Sequence, residues 1–299
     1  MPVSGDSISS RTFKHLSSFI YDQCGIRMPA AKQTMVEGRL RRRARALQFD
    51  KLEDYCRFVL GEGAGGDEVV HLINAVTTNK TDFFREPRHF DYLAQTILPA
   101  LAARQRRIIR AWSAACSTGA EPYTIAMVLD DFAQAHGGPD YAILATDLDT
   151  NVLATAHKGI YPREMIDPVP PRLRQRYVRM GQGARAGEAR IDPALRAKVG
   201  FAQLNLMEQA YAIGQQADLI FCRNVLIYFD KPTQKQVVSR LVDCLVPGAT
   251  CLWGTRNRSR ASISRSRPSA TPYSRGARPM APARFESWSS TTAPACARR

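Results

Sequence analysis

AWSAACSTGAEPYTIA, Ala111 to Ala126, is the stretch whose reading decides the fold. Ahead of it, Arg107-Ile-Ile-Arg-Ala-Trp reads as a short buried strand. Behind it, Pro122 sits in the first turn of a helix, where its missing N–H costs nothing. That helix carries Ile125, Val128, Leu129 and Phe132 at the i, i+3, i+4, i+7 spacing of one buried face. Between strand and helix, Cys116-Ser-Thr-Gly-Ala-Glu is a turn of small residues with Gly119 at its tip. A strand, a glycine turn and a helix N-terminus let backbone come close to a ligand. One glycine does not separate such a loop from a plain βα turn; the ends of the next strands do.

YAILATDLDTNVLATA, Tyr141 to Ala156, is a second apolar strand ending in Asp147, with Asp149 or Thr150 capping a new helix. An acid at that place holds ribose hydroxyls in nucleoside-binding folds. It lies 28 residues beyond Gly119, further than the ~20 typical of dinucleotide folds. QLNLME, Gln203 to Glu208, leaves a strand with Asn205 at its end. DLIFCRNVLIYFDKPTQ, Asp218 to Gln234, runs from a buried strand into Arg223 and Asn224 and on to Tyr228. In an open parallel sheet the ligand lies beyond the carboxyl ends of the strands, so these polar groups converge. The glycine turn lacks the G-x-G-x-x-G spacing that accommodates a pyrophosphate, which favours S-adenosylmethionine over a dinucleotide. The expected fold is therefore α/β, an open parallel sheet with its ligand site at the carboxyl edge. An all-helical N-terminal domain over 1–88 precedes it, and the sheet domain spans 89–254. Prolines and a glycine-rich turn mark a small antiparallel β insertion at about 160–202.

Within the helical part, VEGRLRRRARAL can bury Val36, Leu40, Ala44 and Leu47 while Arg39, Arg41, Arg42, Arg43 and Arg45 surround the remaining face. Such a face is either a solvated one with arginine stems over apolar surface, or a docking surface for an acidic helix or polyanion. TTNKTDFFRE, Thr77 to Glu86, mixes donors and acceptors at Asn79 and Thr81 with the carboxylate-matching fork of Arg85.

The net charge of +15 is unevenly spread. From Thr255 onward ten arginines face a single acid, Glu286, so nine of the fifteen excess charges lie outside the expected fold. Nucleic-acid binding would need that charge within the fold, interleaved with aromatics, and the pattern is absent. The stretch 255–299 is rich in Arg, Ser and Pro, shows no helix or strand period, and is expected to be disordered. Seven cysteines without C-x-x-C spacing give neither a disulfide framework nor a metal site. No apolar run reaches the roughly 18–20 residues of a membrane span, and the polar N-terminus lacks a signal-peptide core, so a cytoplasmic protein is expected.

TTNKTDFFRE, SAACSTGAEPYTIA, ATDLD, LNL and FCRNVLIYFD, in this order over roughly residues 10–253, resemble the motifs of the chemotaxis-receptor glutamate methyltransferases. The resemblance implies a class I Rossmann-like methyltransferase sheet, and methyl transfer from S-adenosylmethionine to glutamates on cytoplasmic helices of chemoreceptors. It implies cofactor contacts at Asn79, Thr81, Arg85, Glu121, Asp147, Asn205, Leu206, Arg223 and Asn224, with Glu121 or Asp147 holding ribose. Arg85, near the cofactor carboxylate or the reacting centre, and Tyr228, positioning the acceptor, are the catalytic candidates. The arginine helix, Arg39 to Arg45, would face the acidic receptor helices, and the β insertion would be a second docking surface. The alternatives are a cofactor-binding regulator or inactive truncated methyltransferase and, less favoured, a nucleic-acid methyltransferase. The latter lacks the Asn-Pro-Pro-Tyr-type turn expected after the Asp218 strand. After Gly254 the sequence departs from the family, and an unpaired edge at the last strand is expected.

Overall fold

The computed structural model describes residues 7–61, 65–105, 107–254 and 262–264. Four helices open the chain: α1 (Ser10–Cys24), α2 (Gln33–Ala46), α3 (Leu52–Leu60) and α4 (Gly66–Val76). Ser9 caps α1 by accepting from the Thr12 N–H, and Gly25, at φ +71°, closes it in the left-handed conformation that suits glycine. Leu16, Ile20, Val36, Leu40, Leu52, Tyr55 and Leu72 form one fully buried cluster. Within it the buried Glu68 carboxylate takes hydrogen bonds from Arg43 at 2.6 Å and from the Tyr55 hydroxyl at 2.8 Å. Apolar packing changes hands between Val76 and Phe83, since Phe83 already belongs to the core of the sheet. That lies ahead of the boundary at 88 expected from sequence.

A helical run follows: α5 (Arg88–Tyr92), a π turn (Leu93–Ile97) and α6 (Leu98–Ala102). Pro99 has no N–H to continue the ladder, and the turn before it widens accordingly. The chain then alternates β1 (Ile108–Ala114), α7 (Ala120–His136), β2 (Asp140–Asp147) and α8 (Thr150–Lys158). A small antiparallel sheet follows, built from β3 (Ile160–Pro162), β4 (Val178–Met180) and β5 (Glu188–Ile191), with α9 (Pro171–Tyr177) between its first two strands. After α10 (Pro193–Arg196) the main sheet resumes with β6 (Val199–Gln203), β7 (Ala217–Cys222), α11 (Lys231–Asp243) and β8 (Leu245–Trp253). The last described strand is β9 (Ser262–Ser264).

The main sheet has the order β6-β2-β1-β7-β8-β9; the first five run parallel and β9 is antiparallel to β8. All six residues of β7 are buried, as a strand covered on both faces requires. Strand order reverses at β1, with β2 on one side and β7 on the other, which opens a crevice beyond the carboxyl ends of the strands. Two sequence expectations are corrected. Val199–Gln203 pairs with β2 in the main sheet, so the insertion ends before 199. Ser262–Ser264, read as part of a structureless tail, pairs with Thr250–Leu252 and covers part of the edge expected to stand open. The rest of the expected disordered stretch lies outside the described residues. No helix among the described residues is long and apolar enough to cross a membrane.

Candidate active site

The turn after β1 takes its shape from its backbone. Ala115 and Ser117 have φ of +65° and +52°, and Gly119 has +92°. A Cβ at Gly119 would lie 2.8 Å from both the Ala156 Cβ and the Tyr161 hydroxyl, so the turn needs glycine there on two counts. Asp147, at the end of β2, accepts the Ser117 N–H at 2.7 Å and the Asp149 N–H at 3.0 Å. Burial pushes its carboxyl above the ordinary aspartate value, and those two N–H groups oppose the shift. Asp149 caps α8 with one oxygen and accepts from Thr77 and Asn79 with the other. The segment entering the sheet domain is thereby pinned to the end of β2.

A second polar group lies under the turn. Glu121, in the first turn of α7, accepts from the Ser113 hydroxyl at 2.7 Å and from Arg223 Nη1 at 3.2 Å. Burial raises its pKa and the Arg223 charge pulls it back. Arg223 is itself 5% exposed. Its guanidinium contacts Glu86 at 3.4 Å, donates to the Arg85 carbonyl and stands 5.2 Å from the centre of the Phe90 ring. Asn224, at φ +58°, donates to Glu86 at 3.2 Å.

Above these groups lies a cavity of about 360 Å³. Asn79, Thr81, Arg85, Glu121, Asp147, Asn205, Leu206, Arg223, Asn224 and Tyr228 all line it, so the structure brings every expected cofactor and catalytic residue to one hollow. Their employment within it differs from expectation at three places. Both N–H groups of the Asn79 amide go to Thr77 and Asp149, leaving its oxygen. The Asn205 side chain bridges the Gln23 carbonyl and the Met207 N–H, tying the end of β6 to the last turn of α1. Arg223 is so enclosed by acids that it forms a wall holding Glu121. Thr81 and the Tyr228 hydroxyl have no hydrogen-bond partner among the described residues, and Arg85 spends one nitrogen on the Lys80 carbonyl at 2.8 Å.

The arginines of α2 also divide. Arg43 is committed to Glu68, and Arg39 donates to the Val76 and Thr77 carbonyls at the end of α4. Arg41 lies near Glu37, while Arg42 and Arg45 are exposed. Two of the five arginines expected to dock a partner, Arg39 and Arg43, thus also hold the helical core together. Sequence reading missed Glu86, the acid bracketing Arg223 and Asn224, and it missed Ile26, Met28 and Lys32, which bring the N-terminal helices into the cavity wall. Glu86 shows in the sequence only as the last residue of TTNKTDFFRE; nothing in the composition of 24–32 marks it as a wall.

The lining suits a zwitterionic nucleoside. Carboxylates with lone pairs to spare stand at Asp147 and Glu121, donors at Arg85 and Thr81, and apolar side chains at Ile26, Leu148, Leu206, Val225 and Phe229. Residues 79–266 match the family described as "CheR methyltransferase, SAM binding domain", and residues 11–77 match "CheR methyltransferase, all-alpha domain".

The chain belongs to the CheR methyltransferase family.

The chemotaxis protein methyltransferase 2 of Pseudomonas aeruginosa is 42% identical over 238 residues, covering 79% of this chain and 82% of that protein. The chemotaxis protein methyltransferase of Escherichia coli is 40% identical over 241 residues, covering 81% and 82%. That of Borreliella burgdorferi is 35% identical over 240 residues, covering 78% and 83%. This CheR methyltransferase uses S-adenosylmethionine, and the cavity at the carboxyl edge of its sheet has the donors, acceptors and apolar walls that such a cofactor needs.

Proposed function

We propose that this CheR methyltransferase esterifies glutamate side chains on acidic cytoplasmic helices of chemoreceptors, forming γ-glutamyl methyl esters during chemotactic adaptation. The observation that supports this reading most is the single cavity lined by residues from four strand ends and from the Thr77–Arg85 segment. S-adenosylmethionine, when bound, supplies an electrophilic methyl group on a sulfonium. A glutamate acceptor, with an ordinary pKa of about 4.3, is ionised at neutral pH, so no side chain need act as a general base. What remains for the protein is placement, the largest lever in a bimolecular displacement.

In this reading Asp147 or Glu121 accepts from ribose hydroxyls, and Arg85 and Thr81 donate to the carboxylate end of the cofactor. Leu206, with the backbone beside Asn205, holds the base. Arg223 and Asn224 keep Glu121 and the turn after β7 in place. A bidentate Arg85 clamp on the acceptor would stabilise the ground state, where the nucleophile's charge is full, more than the transition state, where it is being consumed. Arg85 therefore serves the cofactor. Tyr228 offers one neutral donor, enough to orient one acceptor oxygen while the other attacks.

The test is transfer of tritiated methyl from S-adenosylmethionine to receptor-bearing membranes, followed by treatment with mild alkali. Base-labile label on the receptor supports a glutamyl ester. Label that survives alkali, or label on nucleic acid alone, overturns the reading.

A further inference from the structure

Beside the cofactor cavity runs a second hollow, a groove of about 660 Å³, for which the reading above has no use. One wall is a face of α1, where Lys14, Ser17, Ser18 and Tyr21 recur at three- and four-residue spacing. The loop after α1 adds Arg27, Met28 and Pro29, and the turn Ile227-Tyr228-Phe229 forms the far side. Met28, Lys32, Ile227, Tyr228 and Phe229 line both hollows, so Tyr228 stands where the groove opens into the cavity.

Three features of the groove say what fits it. Its charge is positive: Lys14, Arg27 and Lys32 face one acid, Asp22, and none of the three cations makes an ion pair among the described residues. Arg27 also bears electrostatically on Asp230, which the Tyr21 hydroxyl contacts at 2.7 Å. Its floor is low: Ser17 and Ser18 are small, and the buried Ser17 hydroxyl has no hydrogen-bond partner. Its mouth is apolar on one side and cationic on the other, with Ile227 41% exposed and the Lys32 ammonium 5.6 Å from the centre of the Tyr228 ring.

We infer that this groove seats the acceptor segment, an acidic amphipathic helix of the partner, one glutamate of which passes between Ile227 and Lys32 to reach Tyr228. The inference rests on the function proposed above. A helix is about 10–12 Å across with its side chains, and small residues on α1 let such a cylinder approach closely. Acids recurring on one of its faces meet Lys14, Arg27 and Lys32, while its apolar stripe lies on Met28, Pro29 and Ile227. Contact along a groove next to the reacting centre gives the acceptor carboxylate its approach without using the arginines that hold α2 and α4 together.

The test uses the full chain, receptor-bearing membranes and labelled S-adenosylmethionine. The double variant Lys14→Glu, Arg27→Glu should raise KM for receptor at least tenfold, with kcat within twofold and cofactor Kd unchanged by calorimetry. Ser18→Trp, which fills the groove from an exposed position on α1, should abolish receptor labelling at unchanged cofactor affinity. Unchanged receptor KM in both variants overturns the groove as docking site, and so does an equal loss of cofactor affinity. If the wild-type chain binds cofactor yet labels no receptor, the proposed function falls and the groove falls with it. If the wild type labels and the variants do too, the groove alone falls.

Discussion

Arg223 and Glu121 meet beneath the cofactor cavity, Nη1 to Oε2 at 3.2 Å, joining the loop after β7 to the first turn of α7. Glu86 approaches the same guanidinium at 3.4 Å, so one buried cation is shared between two acids. An arginine in that position fixes the direction of Glu121 and offsets part of what burying its charge costs.

The pH behaviour of cofactor binding follows from that pair. Burial raises the Glu121 pKa, with Arg223 opposing. A carboxyl whose folded pKa exceeds its unfolded value binds more protons in the folded state between the two values. Its contribution to stability is therefore present at acid pH and declines as pH rises through that window. If Glu121 is the ribose acceptor proposed above, its ability to accept from the cofactor runs the other way and fades as pH falls through the raised value. Glu121→Gln should bind S-adenosylmethionine about tenfold more weakly at neutral pH, roughly 1.4 kcal/mol, with a flatter pH profile. Calorimetric titrations from neutral to mildly acidic pH check this; parallel profiles for variant and wild type would count against it.

Arg85 and Tyr228 should separate cleanly in kinetics. Arg85→Ala is expected to weaken cofactor binding by about tenfold, since a charged hydrogen bond contributes roughly 1.5–3 kcal/mol when buried and less at a partly open cavity. Tyr228→Phe is expected to lower kcat about tenfold with cofactor Kd nearly unchanged. Equal cofactor affinity in wild type and Arg85→Ala would refute the first assignment.

Gly119→Ala is expected to damage fold and site together. It places a Cβ at φ +92°, 2.8 Å from the Ala156 Cβ and the Tyr161 hydroxyl. Left-handed backbone and overpacking together cost about 2–4 kcal/mol. Urea unfolding measures the loss, and a change below about 0.5 kcal/mol would show that the turn relaxes freely.

Arg43→Met tests the claim that this arginine serves the helical core. Burial alone would raise the Glu68 pKa, but hydrogen bonds from Arg43 and Tyr55 overcome it and hold the carboxyl below its ordinary value. Such a group stabilises the fold above its unfolded pKa, and that contribution is lost as pH falls through the lowered one. The variant should lose about 2–3 kcal/mol at neutral pH, and its deficit should shrink in acid. A constant deficit from neutral pH down to acid would contradict an ionised Glu68 as the partner.

Much of this was legible in the sequence for stated reasons. The 3.6-residue apolar period exposed α7 and α11, and unbroken apolar runs exposed β2 and β7, because a parallel sheet buries both faces of its strands. Convergence of Glu121, Asp147, Asn205 and Asn224 followed from strand polarity alone. The internal partners were not legible. That Arg39 serves carbonyls at the end of α4, that Asn205 reaches Gln23, and that Glu86 lies within reach of Asn224 are contacts between residues far apart in sequence. Short β9 escaped because a strand of three residues carries no period.

The loop that follows α1 ties the helical part of the chain to the strand-end loops. Ile26, Met28 and Lys32 wall the cofactor cavity, the Arg27 N–H bonds the Tyr228 carbonyl at 3.2 Å, and Asn205 holds the Gln23 carbonyl at 2.7 Å. The cavity thus lies on a seam between residues 24–32 and the loops at the strand ends, and neither side alone presents a complete pocket. A ligand that recognises only the closed seam draws the folding equilibrium toward the native chain by mass action. Supplying cofactor during refolding should accordingly act as a brace for the whole molecule, and its grip should loosen wherever the helical half comes unseated.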